Sequence, residues 1–203
     1  TQVMDFKVFG KWETSSLLVR DIGLKAYLNT GGNIVPHSYG KYAKVKFGNL
    51  HYSMVERLAN KMMVTGHLKD NRTHKKISGR DSGKKQKALT SVRKALEIIE
   101  KKTSENPLQV LVRAVEYSAP IEETTRIRQG GIIAHRPVNV SPIRRVDLAL
   151  RFISHGASSR AFKSRQSVET SLAAEIIAAG NGDQKCYAVS KRDELERVAA
   201  SAR

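Results

Sequence analysis

Basic side chains carry the clearest chemistry in this sequence. Eight lie between residues 67 and 87, six of them lysine, including Lys84, Lys85 and Lys87, with only Asp70 and Asp81 opposing them. Nine lie between residues 120 and 165, eight of them arginine, against Glu122, Glu123 and Asp147. Lysine is a point charge suited to diffuse neutralisation of phosphate, whereas a guanidinium fork holds a phosphate through two bonds or stacks on a base. The Arg-rich stretch is therefore the candidate for shaped recognition of a polyanion, and the Lys-rich stretch for a looser clamp. Arg160, Lys163 and Arg165 in a basic connector, and Lys191 and Arg192 near the chain end, join them.

Catalytic constellations are not found. His37, His51, His67, His74, His135 and His155 stand no closer than seven residues apart, so no pair has the i, i+4 spacing of a metal-binding helix. Gly79 to Lys85 is similar to a phosphate loop only on the surface: it is one residue short between its glycines, ends in Lys and follows no strand. Ser91 and Lys94 share a spacing common in ordinary helices. Cys186, the single cysteine, has no flanking His, permits no intrachain disulfide and reads as a small buried thiol. Neither catalytic residues nor metal ligands nor a cofactor are expected, and the chain reads as no enzyme.

Charge balance supports a binding role. Thirty-six Lys and Arg against 19 Asp and Glu leave +17 in 203 residues. Self-repulsion on that scale calls for a polyanionic partner. Hydrophobic residues make up 40% of the chain, enough for a core, yet no run reaches the ~20 apolar residues of a membrane span. Aromatic residues, 6% of the chain, do not form an alternating strand platform for single-stranded bases. Recognition of folded RNA by shape and phosphate, or architectural DNA binding through a ribbon arm, remains.

The positioning elements follow from periodicity and punctuation. Glycines at 31, 32, 40 and 48 and Pro36 break up the first fifty residues, which read as an extended arm with one short helix near Asp21 to Tyr27. Phe6, Phe9 and Trp12 are placed to tuck onto the body. Val55, Leu58, Ala59, Met62 and Met63 form one helical face, with Gly66 as the stop; Ala88, Leu89, Val92, Ala95, Leu96 and Ile99 form another. Asn106-Pro107 and Ser141-Pro142 are cap-then-proline helix starts.

Between those two starts, Ile121 to Arg128 alternates, Gln129-Gly130-Gly131 turns, and Ile132 to Val140 returns as an edge strand containing Pro137. Such a two-stranded ribbon must lean on helices or on a partner. Arg144 and Arg145 open the next helix, where their charge opposes the dipole, so neither is expected to serve folding. A small-residue helix from Val168 stops at Gly180, and Ser190 with Asp193 resembles a capping box opening a last helix. The fold class is mainly α: about six helices, a protruding two-stranded antiparallel β-ribbon and an N-terminal extended arm.

In this order the blocks resemble a known family. Phe9-Gly10-Lys11-Trp12, Val55 to Asn60, Ala95 to Ile99, Glu105 to Val112, Thr125-Arg126-Ile127 through Val146, and Lys191 to Ala199 are similar to the universal small-subunit ribosomal protein family whose bacterial members are called the seventh protein. The eukaryotic cytosolic branch, historically the fifth protein, is the closer match. The resemblance implies a helical bundle with a ribbon that binds the head (3′ major) domain of small-subunit ribosomal RNA and supports head assembly. It implies a ribbon near exit-site tRNA and mRNA, neighbouring ribosomal proteins as partners, no membrane, and a cytoplasmic ribosome with nucleolar assembly.

By motif, Lys61, Lys84, Lys85, Arg144 and Arg145 would hold ribosomal RNA, while Arg126, Arg128, Gln129, Gly130, Gly131 and Arg136 would belong to the ribbon beside tRNA and mRNA. Residues 1–50 would form an extension packed on RNA and body, and residues 51–203 the RNA-binding core with its Lys-rich loop 67–87 and ribbon 120–140. An architectural DNA-binding protein is the alternative.

Overall fold

The computed structural model describes residues 7–65 and 81–203. Along the chain come α1 (Ile22–Lys25), a 3-10 turn (Gly48–His51), α2 (Met54–Met62), α3 (Lys85–Thr103), α4 (Pro107–Ser118), β1 (Glu122–Gln129), β2 (Ile132–Asn139), α5 (Pro142–Ala161), α6 (Val168–Gly180) and α7 (Tyr187–Ser201). The apolar stripes read from the sequence merge into one buried cluster. At its centre is α6, which packs against α3, α4 and α5. Its Leu172, Ala173, Ile176 and Ala179 are completely buried, each large side chain stabilising the fold by about 1.5–3 kcal/mol.

Local side-chain caps start several helices, Asn106 among them as the sequence places it. Ser53 accepts from Glu56 N at 3.3 Å, Asn106 from Leu108 N at 3.0 Å and Ser167 from Thr170 N at 3.2 Å. Ser141 precedes Pro142 as expected, but its hydroxyl makes no cap hydrogen bond. Helix α3 begins at Lys85, so Lys85 and Lys87 lie in a first helical turn and Lys84 at its cap, not in a loop. The rest of the Lys-rich segment, with the expected stop at Gly66, lies outside the described residues, as does Phe6.

Two expectations near the C-terminus are corrected. Helix α7 starts at Tyr187, three residues before Ser190, so Ser190 and Asp193 are interior and form no capping box. Its starting groups turn instead to Glu175, a residue of α6 that is 1% exposed. Glu175 Oε1 accepts from Ala188 N at 3.2 Å and from the Cys186 thiol at 3.1 Å, while Oε2 lies 3.3 Å from Arg160. Arg160 is thus the last-turn residue of α5, paired inward, and not part of a connector. A Cβ at Gly156 would stand 2.3 Å from Glu175 Oε1, which explains a glycine inside α5. Burial, with Glu175 beside it, pushes the Cys186 thiol up to about 11, so the sulfur stays protonated and inert.

Gly130 and Gly131, with φ of 57° and 85°, form the two-residue turn between the antiparallel strands. The ribbon's base leans on α7: Glu196 accepts from Ile121 N at 2.9 Å, and Arg203 holds Glu122 at 2.6 Å.

The arm is fastened by polar pins as much as by apolar contact. Val8 and Trp12 are buried, and Trp12 Nε1 donates to Glu100 at 3.1 Å. One face of α4 then grips its backbone. Asn106 donates to Glu13 O at 2.9 Å, the Gln109 amide pairs with both Leu18 N and Leu18 O at 2.9 Å, and Glu116 accepts from Arg20 N and Asp21 N. Helix α1 is shorter than expected, capped by Asp21 accepting from Gly23 N at 2.8 Å. From α2, buried Arg57 donates to Tyr27 O at 3.0 Å, and buried Glu56 accepts from Ser38 N and Oγ at 2.9 and 2.8 Å.

Candidate nucleic-acid interface

A cation that already faces a carboxylate has less to give a ligand, so partners sort the fourteen cationic candidates. Eight are paired. Lys85 meets buried Glu56, Lys61 lies 3.4 Å from Asp147, Lys87 2.6 Å from Asp81, and Lys191 meets Glu194. Arg192 reaches Asp193 and Tyr117 O, Arg160 reaches Glu175, Arg144 holds Glu123 at 2.8 Å, and Arg145 holds Asp21 at 2.8 Å. The other six, Lys84, Arg126, Arg128, Arg136, Lys163 and Arg165, are exposed and have no carboxylate partner among the described residues.

The structure brings three of the six together on the ribbon. Cα pairing sets Arg126 opposite His135 and Arg128 opposite Ile133. Directly opposite residues share a face and successive ones alternate, so Arg126, Arg128 and His135 lie on one face and Arg136 with Thr125 on the other. Both faces therefore carry guanidinium groups. No atom beyond the chain neighbours approaches within 4 Å of a Cβ built on Gly130 or Gly131, so the tip backbone is open to a ligand. Ile133 is 59% exposed at that tip. Lys163 and Arg165 occupy the turn from α5 to α6, where Lys163 takes φ of 54° with its ammonium 5.7 Å from the Phe162 ring centre.

Arg144 and Arg145 separate in role. Arg144 is mostly exposed and its pair with Glu123 is a surface one. Arg145, 13% exposed, joins Asp21 to Pro120 O at 3.2 Å, locking α5 to the α1 cap and the end of α4. The expectation that neither serves folding is thereby corrected for Arg145: a three-way tertiary link outweighs the unfavourable dipole. Arg145→Ala is expected to lower unfolding free energy by about 1–3 kcal/mol, and Arg144→Ala by under about 1 kcal/mol, in urea melts of the two variants. Equal losses would contradict this division.

One basic surface was not singled out from the sequence. From Ile22 to Val55 no Asp or Glu occurs, and Tyr39, Lys41, Tyr42, Lys44, Lys46 and Phe47 interleave rings with ammonium groups. Counting aromatics over the whole chain hides this stretch; the local alternation of ring and Lys reveals it. Among the described residues, no group of three or more His, Cys, Asp or Glu is placed to hold a metal, and no helix is long and apolar enough to cross a membrane.

Comparison with known proteins agrees with this geometry. Residues 24–203 match the family described as ribosomal protein S7p/S5e. The chain is 47% identical over 199 residues to the small ribosomal subunit protein uS7 of Methanosphaera stadtmanae, an alignment spanning 98% of this chain and 100% of the relative.

Proposed function

This chain belongs to the ribosomal protein S7p/S5e family, and from that membership we propose that it is a non-catalytic structural constituent of the small ribosomal subunit. It binds the head domain of small-subunit ribosomal RNA, supports assembly of that head, and sets its ribbon beside exit-site tRNA and mRNA. The observation that carries this reading is the set of six exposed candidate cations without carboxylate partners among the described residues, three of them on a ribbon with an open glycine tip.

Phosphates neutralise those cations, while the helical core holds them in register. Arg126, Arg128 and Arg136 reach RNA from two faces of one ribbon, and the Gln129-Gly130-Gly131 tip offers backbone for close approach. Lys163 and Arg165 hold a second strand of backbone, and Lys84 a third at the start of α3. Lys61, Lys87, Arg144, Lys191 and Arg192 serve by exchanging a carboxylate for a phosphate, an exchange with a cost of about 0–1 kcal/mol where the pair is solvated. Lys85, Arg145 and Arg160 contribute mainly by holding the fold, because their partners are buried or bridge distant elements. Residues 7–50 act as an extension clamped to the 51–203 body. Neighbouring ribosomal proteins complete the surroundings, and the working location is the ribosome.

Competition tests the reading. Full-length protein bound to a labelled transcript of the head domain is challenged with unlabelled transcript or with duplex DNA of equal length. Displacement by the transcript at far lower concentration is expected. Equal potency of the two competitors would favour an architectural DNA-binding protein and end the ribosomal reading.

A further inference from the structure

The Tyr39 side chain buries little surface, although much is done to hold it in place. Its ring is 82% exposed and its backbone sits at φ of 50°, a region that bulky residues seldom adopt. The Tyr39 N–H donates to His37 Nδ1 at 2.8 Å, and the two rings lie 4.0 Å apart between centres at an angle of 32°. Behind them, Ser38 is fastened to buried Glu56 through both its N–H and its hydroxyl. Backbone strain and an exposed ring on an anchored support are what a preset platform needs.

A second ring pair lines the same depression. Tyr42 stacks on His51 with centres 4.9 Å apart, and Tyr52 meets Tyr42 edge-on at 5.8 Å. Tyr42 and His51, with Tyr39, His37, Lys41 and the carboxylate of Glu56 that Ser38 and Lys85 already engage, border a cavity of about 480 Å³, within the range of small-ligand sites. Lys41, Lys44 and Lys46 have no carboxylate partner among the described residues, and the segment carries no acid of its own. A flat aromatic occupant with adjoining negative charge fits these features together.

We infer that this depression receives an unpaired nucleobase of ribosomal RNA, stacked on the free face of Tyr39, with Lys41, Lys44 and Lys46 on the flanking phosphates. The inference rests on the ribosomal reading above but concerns a different surface from the ribbon. Charge selects RNA over a protein partner: Lys41 at the rim, with Lys44 and Lys46 on the same acid-free segment, suits a base joined to phosphates, and a neutral apolar peptide would leave those charges without counterpart.

The test uses full-length protein and transcribed small-subunit ribosomal RNA. Tyr39→Ala removes a largely exposed ring and its contact with His37, so circular dichroism should match the parent and the melting temperature should fall by no more than about 5 °C. RNA affinity should fall from about fivefold to about a hundredfold, with the salt dependence unchanged, because stacking releases no counterions. Tyr39→Phe should keep parental affinity. Replacing Lys41, Lys44 and Lys46 together by Ala should instead lower the slope of log affinity against log salt by about 2. Base-specific chemical probing should show a base protected by the parent and exposed with Tyr39→Ala, while protection by the ribbon persists.

Parental affinity and an unchanged footprint with Tyr39→Ala would overturn the inference. So would a Tyr39→Ala defect confined to the docking of a neighbouring ribosomal protein. A parent protein that fails to bind this RNA at all would overturn the ribosomal reading itself, and the inference with it.

Discussion

Raising monovalent salt from 50 to 200 mM is expected to weaken the complex with small-subunit ribosomal RNA by at least roughly a thousandfold, the loss that accompanies about six phosphate contacts. Six is the number of exposed candidate cations whose charge the described fold leaves unanswered. Each contact returns condensed counterions to solution, and higher salt opposes that return. Fluorescence titrations across the salt range give the slope directly. Removing Arg126 and Arg128 together should flatten it by roughly two contacts while leaving the melting temperature unchanged, since neither has a carboxylate partner among the described residues. An affinity that barely changes with salt would mean that the net +17 is not what grips the RNA.

Glu56→Ala is expected to destabilise the protein by about 3–5 kcal/mol, the range for breaking a buried ion pair by deleting one partner. Glu56 is 2% exposed and gathers three donors: Ser38 N, Ser38 Oγ and the Lys85 ammonium. Alanine would leave a half-buried ammonium without a counter-charge and a backbone N–H without an acceptor. It would also free residues 37–39 from α2. Hydrogen exchange should therefore quicken around residues 29–52 at substitution levels where the α6 amides remain protected. A loss below about 1 kcal/mol, or exchange that rises uniformly over the chain, would show that Glu56 is not this fastening.

Much of the architecture was legible because it is written locally. Apolar spacing marked α2 and α3, Asn106-Pro107 and Ser141-Pro142 marked two starts, and the paired glycines marked the ribbon's turn. The failures share a cause, since each depends on a residue far away in sequence. Helix α7 has its start satisfied by Glu175 from another helix, so a search for a local cap found Ser190 and Asp193 instead. The arm's route was illegible because Asn106, Gln109 and Glu116, roughly ninety residues downstream, hold it through backbone groups that every sequence has. Candidate cations were easy to name, but their division into free and committed ones was not. Arg145 and Arg160 look like Arg126 in sequence; only Asp21 and Glu175, brought in by the fold, set them apart.

The grip of α4 on the arm also has a bearing on synthesis. Asp21 N and its acceptor Glu116 are 95 residues apart in the chain. At typical elongation rates of 5–20 residues per second, roughly 5 to 20 seconds separate the translation of the two. Throughout that interval the leading segment has no helix to lie along, and its Trp12 and Leu24 lack most of the core that later covers them. A nascent chain of this kind is open to cellular folding helpers at its front end first, and docking of the arm becomes a late event that reports arrival of the α4 helix.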